Sequence, residues 1–288
     1  MKLSVIIPCY NAADTIAVQL EALAAQCWSE PWEVIISDNG STDESLKIVE
    51  RYKERLPNLH VVNSSDRQGA AHARNVATLA ATGDAFLFCD ADDEVAPGWL
   101  SVMAEAVSMH DFVICRLDTE KLNAPWLQKS WKNSQQDGPI YFYPPYLPFG
   151  GSCSIGVKRS LHDAVGGFDE SVFGVEDIDY CWRIQLAGTK LHFVAHTAIY
   201  YRYPEKFSRM YSQMRGIGEN TALLYKRYQS LGMPRLSRPW KTAVVALTGL
   251  LRRLPRIRSK QGFALWVRAF GLRIGRLQGS IKHRVMYI

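Results

Sequence analysis

Short apolar runs recur along the first ninety or so residues, at 3–7, 33–37, 59–63 and 85–89, each bounded by turn residues and rich in β-branched or aromatic side chains. They predict strands. Between them lie segments with helical periodicity and legible starts: Asp14 ahead of 16–26, Ser41-Thr42-Asp43-Glu44 ahead of 46–56, and Gly69 ahead of 70–80. Strand alternating with helix predicts an α/β chain with a mostly parallel sheet covered by helices.

The periodicity fails from about residue 118 to 151, where Pro139, Tyr141, Tyr143, Pro144, Pro145, Tyr146 and Pro148 crowd together. This predicts a loop-rich segment suited to lining a site. Beyond it the pattern predicts a helix over 177–187, strands over 191–194 and 199–202, and a helix over about 206–228, followed by a basic segment from about residue 231. No repeat or low-complexity tract interrupts the chain, and the composition shifts divide it at 1–117, 118–230 and 231–288.

The 288 residues are 47% hydrophobic, enough for a packed core and unlike a disordered chain. Cys9, Cys27, Cys89, Cys115, Cys153 and Cys181 stand singly with no CxxC pair, so neither a disulfide framework nor a zinc site is expected. The apolar start, Met1 to Pro8, lacks a small-residue cleavage site and reads as a strand rather than a signal peptide, which favours a cytoplasmic protein.

The net charge of +6 is unevenly placed. Residues 231–288 hold ten Arg, three Lys and no acid, which leaves a net −7 on residues 1–230. Within this segment Phe263, Trp266, Val267, Phe270, Ile274, Leu277 and Ile281 share one helical face. With Arg252, Arg253, Arg256, Arg258 and Lys260 they predict an amphipathic cationic attachment to an anionic membrane surface, on the inner face of the plasma membrane. The competing reading packs the tail on the acidic domain. Gly271, Gly275 and Gly279 weaken the helix, no nucleic-acid motif is present, and the longest apolar stretch, 243–251, falls far short of the roughly twenty residues of a membrane span.

The strongest chemical signal is Phe86-Leu87-Phe88-Cys89-Asp90-Ala91-Asp92-Asp93, an apolar strand running into three carboxylates. Asp90 and Asp92 can point alike from a strand end and offer oxygens to a hard divalent ion, Mn2+ or Mg2+, which neutralises phosphate oxygens. An acidic turn capping the next helix accounts for the same residues. Further segments follow in order: Val5-Ile6-Ile7-Pro8-Cys9-Tyr10-Asn11, Ile35-Ile36-Ser37-Asp38-Asn39-Gly40-Ser41-Thr42-Asp43, Arg67-Gln68-Gly69-Ala70-Ala71-His72-Ala73-Arg74-Asn75, Gly166-Gly167-Phe168-Asp169-Glu170, and Gly174-Val175-Glu176-Asp177. In this order they resemble family 2 glycosyltransferases of the GT-A fold, over roughly residues 1–203.

The resemblance implies a nucleotide-sugar-binding half (1–117) and an acceptor-binding half (118–230) of one GT-A domain, transferring a sugar with inversion from a nucleotide diphosphate, UDP by default, to a glycan or lipid-linked acceptor in cell-surface polymer synthesis. Pro8, Tyr10 and Asn11 would meet base and ribose, and Asp38 would accept from the base, with Asn39 where relatives carry a second acid. Gly69 would let the backbone approach the ligand, Arg74 would meet phosphate, and Asp90 and Asp92 would serve nucleotide and metal. A hydroxyl nucleophile needs a base. Asp177 takes that part, with Glu176 beside it perturbing its pKa, binding acceptor hydroxyls or exchanging roles with it. Asp43 and Asp179 would stabilise helix starts, His72 is structural, and Gly151 and Trp182 are expected at the acceptor. A metal-binding His of many relatives falls here on Tyr200, with His196 four residues away. A nucleotidyltransferase and an inactive membrane scaffold on the same fold are the alternatives. A dinucleotide oxidoreductase is excluded, because no GxGxxG follows the first strand.

Overall fold

A computed structural model of the chain describes residues 1–131, 135–237 and 239–287, without the side chains at 239, 242, 243, 246, 247 and 256. The Arg256 side chain and part of the apolar stretch 243–251 therefore lie outside the described residues. The elements run β1 (Leu3–Cys9), α1 (Ile16–Ala24), β2 (Trp32–Asp38), α2 (Ser45–Arg51), β3 (Leu59–Asn63), α3 (Ala70–Ala80), β4 (Ala85–Phe88), β5 (Glu94–Val95) and α4 (Trp99–Met109). They continue as β6 (Phe112–Asp118), α5 (Pro125–Gln128), β7 (Ile155–Lys158), α6 (Arg159–Val165), α7 (Glu176–Leu186), β8 (His192–Tyr200), α8 (Phe207–Tyr228), α9 (Pro239–Arg253) and α10 (Lys260–His283).

The strands form one sheet in the order β3-β2-β1-β4-β7-β6-β8-β5. β3, β2, β1 and β4 are parallel, and β7 runs against β4 and β6. Alternate residues of β1 face opposite ways: Val5 and Ile7 join Val34, Ile36 and Leu87 under α1, α2 and α4, whereas Ile6 joins Ile35, Phe86 and Phe88 under α3, α7 and α8. A sheet covered on both faces explains why these strands read as continuous apolar runs.

The two strands expected near 191–202 are one. β8 pairs with β6 through Val194 opposite Cys115 and then Ala198 opposite Arg116, so residues 195–197 bulge out of the ladder. The glycines expected to weaken the last helix lie inside it. A Cβ on Gly275 would stand 2.0 Å from the Arg215 carbonyl oxygen, and one on Gly279 would stand 2.3 Å from that of Glu219. Their lack of side chains lets α10 lie backbone to backbone along α8. The expected apolar stripe is divided: Val267 is buried and Phe263 meets Phe207, while Leu277 and Ile281 are exposed. Five of the six cysteines are buried and all six are free thiols.

Candidate active site

β1 is flanked by β2 on one side and β4 on the other, which places the reversal of strand order at β1 and opens a crevice beyond the carboxyl ends of these strands. The residues read as chemical lie along it. Cys9 at the end of β1 pairs with Asp38 at the end of β2. Asn11 has a positive φ of 47° and accepts from the Thr42 N–H at 2.8 Å, while its own N–H donates to Ser41 Oγ at 3.0 Å. Asp38 accepts from the Ser41 N–H, Tyr10 stands exposed beside this pair of loops, and Pro8 is half-buried at the end of β1. Asp43 accepts from the N–H groups of Ala13 and Ser45, tying the first loop to the start of α2.

Asn39 shows why an acid would not serve here. Its amide nitrogen donates to the carbonyls of Ser64 at 2.5 Å and Arg67 at 2.8 Å, and its oxygen accepts from the Gly69 N–H at 2.8 Å. A carboxylate has no hydrogens for the two carbonyls. Gly69 has φ +142° and open space around it, so its backbone conformation requires glycine. Next to it, a cleft lined by His72, Glu170, Phe173 and Glu176 joins the start of α3 to the start of α7. His72 bonds both Asp66 and Glu170 and is held above its ordinary pKa by them, against the effect of burial.

Past β4 the chain turns through Asp90, Asp92 and Asp93. Asp93 is buried. One oxygen accepts from the Arg202 N–H at 2.8 Å, while the other meets no hydrogen-bond donor at bonding geometry among the described residues; burial first and the charges of Asp92 and Asp90 next push its pKa well up, against the nearby Cys153 thiol. Asp92 is open to solvent as a residue, yet its carboxyl lies among enough protein that desolvation, then the Asp90 charge, raises it to about 6. Ligand atoms of Asp90, Asp93 and Cys153 fall within 4.8 Å of one another. Asp93 and Cys153 are the additions that sequence reasoning missed. Asp93 sat in the quoted motif, but a buried carboxylate with an orphaned oxygen is visible only in three dimensions.

Arg74, expected at phosphate, is only 2% exposed and fastened to Asp90 by a 2.6 Å bond, with its other terminal nitrogen 3.8 Å from Glu176. Its guanidinium lies over Phe168, 5.6 Å from the ring centre. Two of its nitrogens and one Glu176 oxygen are buried without a hydrogen-bond partner among the described residues. Asp177 follows in the first turn of α7, where acids complement the helix dipole. Its pKa is raised to about 7 by desolvation first and the Glu176 charge second, with Arg74 opposing.

The expectations for Trp182 and Asp179 are corrected. Trp182 is fully buried among Phe142, Tyr146 and Tyr228 and its indole N–H donates to the Leu147 carbonyl at 2.7 Å, so it supports the 141–148 loop from beneath and offers no face to an acceptor. The N–H of Gly151 is taken by Gln135. Asp179 is buried and accepts from Arg183, Arg227 and Tyr228, so it ties α7 to α8 instead of only serving its helix start. His196 sits exposed on the β8 bulge, and Tyr200, paired with Glu94, lies under the Lys121 ammonium at 4.3 Å.

The family model described as Glycosyl transferase family 2 matches residues 4–166, more than half of the chain. The chain belongs to this family. It is a glycosyltransferase, and its relatives carry that name: it is 30% identical over 189 residues to the uncharacterized glycosyltransferase YwdF of Bacillus subtilis, covering 64% of this chain and 68% of that one. It is 37% identical over 138 residues, 48% of its own length, to the uncharacterized glycosyltransferase YibD of Escherichia coli, of which it spans only 38%. Among solved structures, Staphylococcus aureus TarS 1–349 in complex with UDP aligns over 99% of this transferase and 92% of that chain, with TM-score 0.58 and 23% identity. The mannosyltransferase PcManGT of Pyrobaculum calidifontis, in complex with GDP-Man and Mn2+, aligns over 96% and 86% with TM-score 0.68 and 20% identity. These likenesses establish the GT-A fold.

Proposed function

We propose that this glycosyltransferase moves a sugar from a nucleotide diphosphate, UDP by default, to a hydroxyl of a glycan or lipid-linked acceptor with inversion, in the synthesis of a cell-surface polymer. The reading is carried by one arrangement: the Asp90 carboxylate and the Glu176-Asp177 pair, 86 residues apart, are joined through the buried Arg74. The leaving-group side and the proton-accepting side thereby share one crevice. Tyr10, Asn11 and Asp38 flank the nucleoside end. Asp177, with a pKa near neutrality, can hold the acceptor proton as its oxygen attacks. Glu176, with an unpartnered oxygen at the cleft, can bind acceptor hydroxyls.

Asp90 and Asp92 would hold a divalent cation, Mn2+ or Mg2+, and the orphaned Asp93 oxygen beside Asp90 fits such a group. The ion would supply charge neutralisation to the departing diphosphate. The metal, the donor class and the acceptor draw support from the neighbours bound to UDP, UDP-GlcNAc, or GDP-Man with Mn2+, and from relatives named poly(ribitol-phosphate) transferases. The family match removes the nucleotidyltransferase alternative, and the presence of Asp90, Asp92 and Asp177 together supports an active enzyme over an inert scaffold.

Calorimetric titration with UDP, GDP and dTDP, with and without Mn2+, tests the donor site. Metal-dependent binding of one nucleotide, lost in Asp92→Asn, is the expected result. Failure of all three to bind would overturn the reading.

A further inference from the structure

α9 leans on α10 and on the turn joining them, and among its described side chains several apolar ones have no cover: Trp240 is 59% exposed, Val244 52%, Val245 70% and Leu251 65%. Trp240, Val244 and Leu251 fall on one helical face at spacings of four and seven, and Leu254, also exposed, continues it past the helix end. Lys241 and Arg252 are exposed along its flank, with Lys241 placed 5.4 Å from the Trp240 ring centre, and Arg235, Arg258 and Lys260 are exposed beyond its ends. Residues 231–288 contain no acid to balance them.

Cations alone would suit any polyanion in water. Cations bordering an uncovered apolar face suit a surface that offers both anionic headgroups and a hydrocarbon edge, where an indole sits at headgroup depth and aliphatic side chains bury below it. We propose that α9 docks this chain in the interface of an anionic lipid bilayer, with α10 as the strut that fixes α9 to the catalytic domain. The strut is rigid. Its glycines press it onto α8, and the Arg268 guanidinium lies 3.4 Å over Trp131, which is stacked in turn on Tyr203 at 4.6 Å.

The start of α8, against which the start of α10 packs, stands on the side of the carboxylate crevice. The charges of Arg202 and Arg209 act on Asp92, and Arg209 belongs to the first turn of α8. Phe207 in that turn meets Phe263 at the start of α10, with ring centres 4.8 Å apart. Arg253 at the end of α9 is near enough to Arg268 and Arg273 to add to the burial that depresses both guanidinium groups. A bilayer under α9 would present acceptor hydroxyls to the mouth of the crevice, which deepens the transferase reading to a lipid-linked acceptor and, for that part alone, rests on it.

The test is flotation of the full chain with vesicles of phosphatidylcholine alone or mixed with phosphatidylglycerol. Wild type is expected to float only with the anionic mixture. The triple variant Trp240→Ser, Val244→Ser, Leu251→Ser is expected to lose at least about tenfold in partitioning while keeping its melting temperature, and Lys241→Gln with Arg252→Gln is expected to lose about tenfold as well. Flotation unchanged in the triple variant would overturn the proposal. So would equal binding of wild type and triple variant to inorganic polyphosphate without flotation, which would mark a soluble polyanion as the partner. Nucleotide titration on the same samples separates the two readings, because flotation without nucleotide binding supports docking while sinking the transferase site.

Discussion

As the proposed base, the Asp177 carboxyl must be ionised to take a proton from an acceptor hydroxyl, yet burial and the Glu176 charge favour its neutral form. Its activity should therefore fall about tenfold per pH unit below about 7, and Glu176→Gln, which removes the neighbouring charge, should move that acid limb to lower pH. A limb that stays in place in a pH profile of kcat/KM would assign the base elsewhere. The linkage has a definite sign. A carboxyl whose folded pKa is raised costs the fold stability as pH climbs from the unfolded value to the folded one, and the cost is complete above about 7. Asp177→Asn should thus lose turnover on the order of a thousandfold while melting at pH 8 about 2 °C or more above wild type. At this scale the sequence revealed which carboxylates stand at strand and helix ends, because apolar runs breaking into acids are a one-dimensional signal. It did not reveal that Asn39 donates to two carbonyls, that Arg74 is spent on Asp90, or that Trp182 faces inward, since each depends on partners 16 or more residues away.

Among the elements, α8 and α10 approach backbone to backbone, and the approach is set by missing atoms. Gly275→Ala would drive a methyl into the Arg215 carbonyl, which is backbone and cannot rotate aside, so the helices must separate. The melting temperature should drop by about 5 °C, while Gly249→Ala, whose added carbon would meet its nearest atom only at 3.9 Å, should change it by no more than about 1 °C. Equal stability of the two variants in a thermal scan would refute this packing. Of the four parallel strands, β1, β2 and β4 were legible because burial on both faces gives nearly unbroken apolar runs, whereas β3 at the sheet edge is largely exposed. The sequence reading assigned nothing to β6, β7, α4 or α6. β6, with the sequence FVICRLD, is an apolar run that periodicity alone does not separate from a buried helix, and β7 is four residues with a glycine inside. The glycines of α10 misled for a related reason: spacing four reads as low propensity in an isolated helix and as a contact surface only once a second helix is present.

At the level of the whole molecule, the basic C-terminal segment contributes to the core. Ala264 and Val267 pack with Leu127, Tyr203 and Met210, and Tyr287 is buried with Tyr225 and Phe142. A chain ending at residue 230 should therefore aggregate or lose cooperative unfolding, seen by size exclusion and thermal denaturation; a soluble monomer melting with wild type would show the segment to be dispensable. The Tyr287 hydroxyl donates to the Tyr143 carbonyl at 2.6 Å, across 144 positions. Contacts of such separation close late, because the intervening chain must first be ordered. The crevice wall at the ends of β1 and β2 is held by ties of about thirty residues, such as Asn11 to Thr42 and Asn39 to Gly69, and can assemble early. The loop carrying Tyr143 waits for the C-terminal segment, so refolding should proceed with the β1–β2 end preceding this loop.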